Sequence, residues 1–364
     1  TDPNLPTPEA GTVLGWNATG DAVVNYSSVG TTLATAFAET LLDDANAAEA
    51  RNTLGLVIGS AAGDVVTLDG SAKLPAVDGS QLTGLWIDNR INDFRLTLTS
   101  GVPVTSSDVV GAGTIYCTPY TGNRISLYVG GLWVWRSSAE FSITLTALSS
   151  ARPYDVFAYD VAGTPTLEVL VWASNSARAT GLSGQDGVLV KSGDPTRRYL
   201  GTFYTTSAST TEDSAAQRFL WNYYHRIDRL LAKSEAAASW AYSTATWRAA
   251  NGSGANMVRA VRGLNEDAVS ATVLASASNS TATPRRVAVA IDENGYLTPA
   301  AACLQVYQAV GLAPNPLIAT YLNTPAAGLL SLTWLEIATG TDTQTFYGTS
   351  GFATKAGIFG CLKG

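Results

Sequence analysis

The sequence predicts a mainly β chain with two β-sandwich-like domains and one long central helix, and three observations carry that expectation. Strand-length runs rich in Val, Ile, Thr, Tyr, Phe and Trp recur over residues 94–204 with turn residues between them. A helical spacing of apolar residues interrupts them between Thr205 and Trp240. Strand-like runs then return over residues 241–364. The expected divisions are an N-terminal arm over 1–40, a shaft or junction segment over 41–93, a β-sandwich over 94–204, a helical segment over 205–240, and a C-terminal β-sandwich of jelly-roll-like character over 241–364.

The N-terminal elements are small. Pro3, Pro6 and Pro8 favour an extended arm, and turns at Gly15-Trp16-Asn17 and Gly20-Asp21 leave Val23, Val24 and Tyr26 as a minimal strand. From Asp44 to Leu54 the run is rich in Ala, Glu and Arg and predicts a short helix, with Gly55 placed to end it as a C′ residue. Val65 to Leu68 and Ser71 to Leu74 flank Asp69-Gly70, a pair suited to a type I′ hairpin turn. None of these pieces can bury a core of its own. The simplest source of neighbours is other copies of the same chain.

The wording "AAEARNTLGL" followed by "GDVVTLDGSAKLPAVDGSQLTGL" resembles junction and shaft segments of bacteriophage tail fibres and related virion fibres. "GTVLGWNATGDAVVNY" just upstream resembles the head-binding ends of such appendages, and "LSLTWLEIATGTDTQTFYGTSG" with "AGIFGCLKG" resembles their closing head segments. The resemblance implies an elongated homotrimer, assembled in the bacterial cytoplasm and built into the virion, whose N-terminal arm meets other virion proteins of tail, collar or capsid. Its outer β domains would then serve host attachment. On that reading Trp16 is either an anchor in a partner's pocket or a core residue of a small trimer. A capsid or collar decoration without receptor duty, and a glycan-degrading tailspike, are the alternatives. No tandem β-helix repeat of the tailspike kind is present.

Composition agrees with an assembling protein. Charged residues make up 14% of the 364 residues while 46% are hydrophobic, so apolar surface must be covered somewhere. A net charge of −7 without a basic block argues against nucleic acid, and Arg197-Arg198 and Arg285-Arg286 read as solvated strand ends. Neither a charged-then-apolar leader nor a run of about 18 apolar residues occurs, so membrane insertion is not expected. Cys117, Cys303 and Cys361 are too few and too scattered for a disulfide framework or a zinc site, and read as small hydrophobes.

Within 94–204 the expected strands are Thr114 to Cys117, Arg124 to Val129, Leu132 to Arg136, Ala139 to Leu145, Tyr154 to Tyr159, Leu167 to Trp172 and Gly187 to Lys191. Gly130-Gly131 makes the second and third a hairpin. In 205–240, Ser209 and Glu212 have capping-box spacing, and Leu220, Tyr223, Ile227 and Leu230 recur at steps of three and four, predicting a trimer seam along a central bundle. An amphipathic helix packed on its own sheet is the plainer alternative. Later strands are expected at Met257 to Arg262, Ala268 to Ala275, Arg286 to Ile291, Ser331 to Ile337 and Thr343 to Tyr347, with a hairpin turn at Asn294-Gly295 and a short helix from Ala300 to Val310.

No stretch carries a recognisable active site, and neither a catalytic residue, a cofactor nor a metal is expected. His225, the sole histidine, has no nucleophile elbow to serve and reads as a helix-surface residue. Glu140, Asp155, Asp160, Glu168 and Asp186 are the carboxylates that a glycosidase-like pair would draw on, although solvated edges and turns are the commoner use. Asp292, Glu293 and Asn294 lack the ligand spacing of a calcium loop and read as a turn. Aromatic side chains are the remaining lead. Trp133 and Trp135 share one strand face and read as core, whereas Trp240, Tyr242 and Trp247 are candidate contacts for host surface polysaccharide.

Overall fold

Alternating burial along strands decides this architecture. The computed structural model describes residues 5–26, 38, 40, 41, 43–56, 90–350 and 355–364, and the chain falls into two compact units, Thr1–Leu85 and Trp86–Gly364. The expected hairpin around Asp69-Gly70 lies outside the described residues.

In the first unit, Val13–Trp16 pairs antiparallel with Val23–Tyr26, placing Trp16 opposite Val23. The turn is closed by side chains: Asn17 Oδ1 accepts from the Asp21 amide at 3.1 Å and Asn17 Nδ2 donates to Asp21 Oδ1 at 2.7 Å. Hydrogen bonds from Thr19 and Asn17 hold the Asp21 carboxyl below its ordinary range. The expected helix forms over Ala47–Thr53. Asn46 caps it by accepting from the Ala48 and Glu49 amides at 2.9 and 3.1 Å. At the other end Gly55, at φ 68°, donates to Asn52 O and Leu56 donates to Arg51 O, the paired bonds of a Schellman motif. Caps therefore fix both ends, although the helix buries none of its residues.

Among the described residues the second unit is built from antiparallel strands with one parallel contact, between Gln217–Arg218 and Met257–Arg262. Its first part holds a three-stranded sheet of Phe94–Thr97, Thr114–Pro119 and Phe141–Thr144, and the Gly-Gly hairpin of Arg124–Val129 and Leu132–Ser137. Gly130 and Gly131 both have positive φ, which the tight turn requires. Beside them a six-stranded sheet orders Thr164–Val171, Pro153–Val161, Asp194–Tyr204, Val188–Lys191 and Leu182–Gln185, with Leu220–Asn222 paired to Asp194–Tyr204. Phe94, Ile115, Ile125, Leu127, Val156 and Phe203 fill the space between these elements.

The later part is a sandwich of two larger sheets. One carries Arg285–Glu293, Gly328–Ile337 and Met257–Arg262 side by side, and continues through Gln217–Arg218 and Thr211–Asp213 to Val109–Ala112. The other, here the outer sheet, orders Asp228–Ser234, Gly357–Lys363, Val269–Asn279, Asn315–Asn323 and Cys303–Gln305. Val273, Leu317, Ala319 and Tyr321 of the outer sheet meet Val289, Ile291, Leu332 and Trp334 in one core. Since Val109–Ala112 and Met257–Arg262 belong to one sheet, the expected break between 94–204 and 241–364 is crossed by strands. Buried polar groups tie the same parts together. Arg178 forms an ion pair with Asp155 at 2.6 Å and donates to Gly263 O at 2.8 Å, while Arg95 donates to Gly364 O at 3.1 Å.

Three local expectations are corrected. No long helix occupies 205–240: the segment contains the strands Thr211–Asp213, Gln217–Arg218, Leu220–Asn222, Asp228–Ser234 and Ser239–Tyr242. Its apparent 3.6-residue period arose from residues that belong to different strands and turns, and long-range pairing overrides it. All of Asp228–Ser234 pairs with Gly357–Lys363, and burial there alternates, with Arg229 and Leu231 inside and Leu230 outside. Ser209 caps nothing, and Glu212 is buried and accepts from Ser214 Oγ at 2.7 Å. Ala300 to Val310 likewise forms Cys303–Gln305 and Gln308–Val310 rather than a helix. Asn294 and Gly295 do take positive φ, but the chain beyond them forms no returning strand over Tyr296 to Thr298.

Candidate functional site

The four residues expected to form a helical seam lie on a strand, a loop and a second strand. Leu220 is buried, Tyr223 and Ile227 are half-buried in the loop between Leu220–Asn222 and Asp228–Ser234, and Leu230 is 58% exposed on the latter strand. They share no helical face, so the expected trimer seam does not form from them. The loop nevertheless lines a concavity of mixed chemistry.

That concavity, of about 430 Å³, is lined by Tyr223, Tyr224, His225, Arg226, Asp267 and Lys363. His225 holds φ at 53°, a left-handed conformation unusual for a side chain with a Cβ. Two contacts over-determine it. Its Nε2 is bonded to Asn92 O, and its own carbonyl accepts from Arg95. The ring also sits edge-on to Tyr120 at 5.6 Å, so the histidine organises the loop rather than facing a nucleophile. Next to it, Arg226 pairs with Glu266 at 2.8 Å and with Asp267, and its guanidinium lies 5.3 Å from the Trp221 ring. Behind the loop, burial raises the Tyr224 phenol, whose oxygen accepts from Arg198 Nε at 3.1 Å. An aromatic wall, a bound guanidinium, a carboxylate and an ammonium thus meet at one opening.

Arg198 departs from its sequence reading. It is fully buried and donates to Ile91 O at 2.9 Å, Ser126 O at 2.7 Å and Arg90 O at 2.9 Å. Its neighbour Arg197 binds Glu168 at 2.7 Å and lies 3.9 Å from the Tyr159 ring centre. Nothing in a dipeptide shows that one arginine points inward; strand alternation is the only available signal.

The aromatic platform expected from Trp240, Tyr242 and Trp247 is not open as a set. Trp240 is buried, stacked on Phe346 at 6.1 Å, and donates to Glu336 Oε2 at 2.7 Å. Arg248 covers the Tyr242 ring at 3.8 Å. Trp247 is half-buried, 6.4 Å from Tyr307. Trp133 is core and donates to Asp186 Oδ2 at 2.9 Å, whereas Trp135 on the same strand is 53% exposed. Trp16 is 66% exposed on its hairpin.

The five weighed carboxylates each have a separate engagement. Asp155 binds Arg178, Asp160 binds Arg136 at 2.7 Å, Glu168 binds Lys191 and Arg197, and Asp186 accepts from Trp133 and Gln185. For Glu140 partial burial works against ionisation, yet hydrogen bonds from Ser100, Thr118 and the Gly101 amide outweigh it and lower the pKa. At Asp292 to Asn294, read from the sequence as a turn, Glu293 accepts from Tyr321 at 2.9 Å and Asp292 Oδ1 from the Tyr296 amide at 3.2 Å, which is turn and strand chemistry. Among the described residues no cluster of three or more His, Cys, Asp or Glu has metal-holding geometry. Cys117 is buried and its thiol is pushed up by that burial, while Cys303 and Cys361 are half-buried and free. No helix among the described residues is long and apolar enough to cross a membrane, which leaves β-barrels unaddressed.

The outer sheet supplies the other conspicuous surface. Leu304, Ile318, Leu322, Leu230 and Leu274 are between 40% and 76% exposed on its solvent side. A groove of about 590 Å³ runs between the 304–308 segment and Asn315–Asn323, lined by Leu304, Val306, Pro316 and Ile318 among others.

No family model matches the sequence. No curated protein matches it either. Among solved structures the chain is weakly similar to a Bacillus thuringiensis Cry1Da tryptic core variant, at 9% identity and a TM-score of 0.18 over 75% of this chain. The match spans about half of that structure's length, 52%, and at this TM-score it carries no argument about fold or function.

Proposed function

We propose that this chain is a structural virion protein, a phage tail fibre or fibre-like appendage, anchored through its N-terminal unit and presenting its β unit for host-surface attachment. One observation carries the reading. Every described residue of Thr1–Leu85 is exposed or half-buried, although the hairpin and the capped helix bring Val13, Leu14, Trp16, Tyr26, Leu54 and Leu56 to their surfaces. Elements so well defined locally, with no interior among themselves, are suited to winding with identical chains or seating on another virion protein. The resemblance of residues 11–26 and 47–85 to fibre ends and shafts makes three copies the expected number. The concavity at Tyr223, Arg226, Asp267 and Lys363 is the proposed polysaccharide contact, because a ring face beside paired donors and acceptors suits a sugar.

Size-exclusion chromatography with light scattering on the full chain tests the assembly reading, which expects three times the 37.9 kDa protomer mass. A monomer at micromolar concentration would refute it. Electron microscopy of particles carrying a tagged copy then distinguishes an outward fibre on the tail from a capsid or collar decoration. Release of oligosaccharide from host polysaccharide would instead support the tailspike alternative.

A further inference from the structure

We propose that the solvent face of the outer sheet is a second assembly surface, buried in the mature particle against further copies of this chain. The inference rests on the homo-oligomeric reading above and adds a contact far along the sequence from the N-terminal unit.

Register places the face unambiguously. Residues that alternate with the core point outward in rows across the strands: Leu230 beside Cys361, Cys361 beside Ser270, and Ser270 beside Leu322. The next rows join Ala232, Phe359, Thr272, Thr320 and Leu304, then Leu274 and Ile318. No charged side chain interrupts those rows. Asp228 and Lys363, paired across one corner, are the first charges reached along the strands, and Glu266 and Asp267 share that corner's opening.

A solvated antiparallel sheet ordinarily shows polar residues at these positions, because one face packs and the other meets water. Here leucine or isoleucine stands at 230, 274, 304, 318 and 322, and the polar residues between them are the uncharged Ser270, Thr272 and Thr320. The exposed fractions of Leu230, Leu274, Leu304, Ile318 and Leu322 amount to about 500 Å² of aliphatic surface, near the upper end for a lone patch on a monomer. Adding the intervening Thr, Ser, Cys, Phe and Pro brings the face toward the ~800 Å² per partner of a stable interface. Depletion of charge at the centre matches an interface between like subunits better than a polar, transient one. At that corner Lys363 sits among Asp228, Glu266 and Asp267, so charge is confined to the rim of the face. The groove beside Ile318 gives a neighbouring leucine somewhere to insert.

Cys361 lies within this face, between Leu230 and Ser270, and reports on it. The test labels the native full-length protein with a maleimide at pH 8, reads each cysteine by peptide mass spectrometry, and measures mass by light scattering in the same sample. A variant carrying Ile318→Lys and Leu322→Lys changes only outward positions, and circular dichroism checks that its strands persist. The proposal expects an oligomer in which Cys361 reacts at least tenfold more slowly in the parent than in the double variant. An oligomer whose Cys361 reacts equally fast in both, or equally slowly in both, overturns the sheet-face contact while leaving assembly through the N-terminal unit standing. A monomeric parent overturns both. Should the double variant lose its strands, Leu304→Glu on the edge strand replaces it with the same expectations.

Discussion

Replacing Glu336 by Gln probes a carboxyl buried by the later sandwich. Glu336 has no exposed surface and accepts from Trp240 Nε1 at 2.7 Å, Arg248 Nε at 2.8 Å and the Asn251 amide at 3.2 Å. Burial disfavours its ionised form more strongly than Trp240 and Arg248 favour it, and its pKa is raised to about 7. A folded value above the unfolded one means the native state holds an extra proton between the two. The stability associated with that proton is complete below the unfolded value of 4.5 and falls as pH rises toward 7. At about 1.4 kcal/mol per pH unit, the loss across this window is on the order of 3 kcal/mol. Gln cannot titrate, so the parent's stability minus that of Glu336→Gln should decline by that amount between pH 4.5 and pH 8 and then level. Urea unfolding followed by tryptophan fluorescence at fixed protein concentration measures the difference. A difference that grows with pH would show that the Arg248 ion pair outweighs desolvation, and would refute the reasoning.

Other substitutions test separate parts of the fold. Arg198→Met should destabilise by roughly 3 kcal/mol or more, because the Arg90, Ile91 and Ser126 carbonyls lose their donor, and thermal unfolding should show it. Gly263→Ala would drive a methyl into the Tyr199 hydroxyl and the Trp221 ring, with an expected cost of about 1–3 kcal/mol in urea unfolding. Asn46→Ala removes the acceptor for two helix amides and should cost about 1 kcal/mol locally, read as faster amide exchange at Ala48 and Glu49 without a change in the β unit.

Local rules read the short elements well. The helix ended by Gly55, the Gly130-Gly131 hairpin and Met257–Arg262 were legible because a C′ glycine, a turn pair or a run of strand-forming residues specified each within a few residues. The segment after Tyr204 was not, and the reason is physical. Leu220, Tyr223, Ile227 and Leu230 satisfy a helical period only when counted through a loop, whereas Arg229 and Leu231 show the two-residue period of the strand. What fixes that strand is Gly357–Lys363, more than a hundred residues away, and no local window contains it. The candidate concavity was hidden for the same reason: Arg226 finds its carboxylates at Glu266 and Asp267 and its companion ammonium at Lys363.

The low charge content acquires a location from this register. Low charge and many apolar residues can describe an unusually large core, an assembly, or both, and composition alone does not separate them. In Asn315–Asn323, however, Leu317, Ala319 and Tyr321 already meet the facing sheet, so Ile318 and Leu322 project away from it. The same holds for Leu230 against Leu231 and for Leu274 against Val273. Apolar residues on both sides of a strand whose inner side is filled require a second apolar neighbour or leave hydrocarbon in water, at about 25 cal/mol for each Å² left uncovered. For the roughly 500 Å² on these five side chains that is on the order of 10 kcal/mol before association entropy is subtracted, enough for the outer face to matter in assembly.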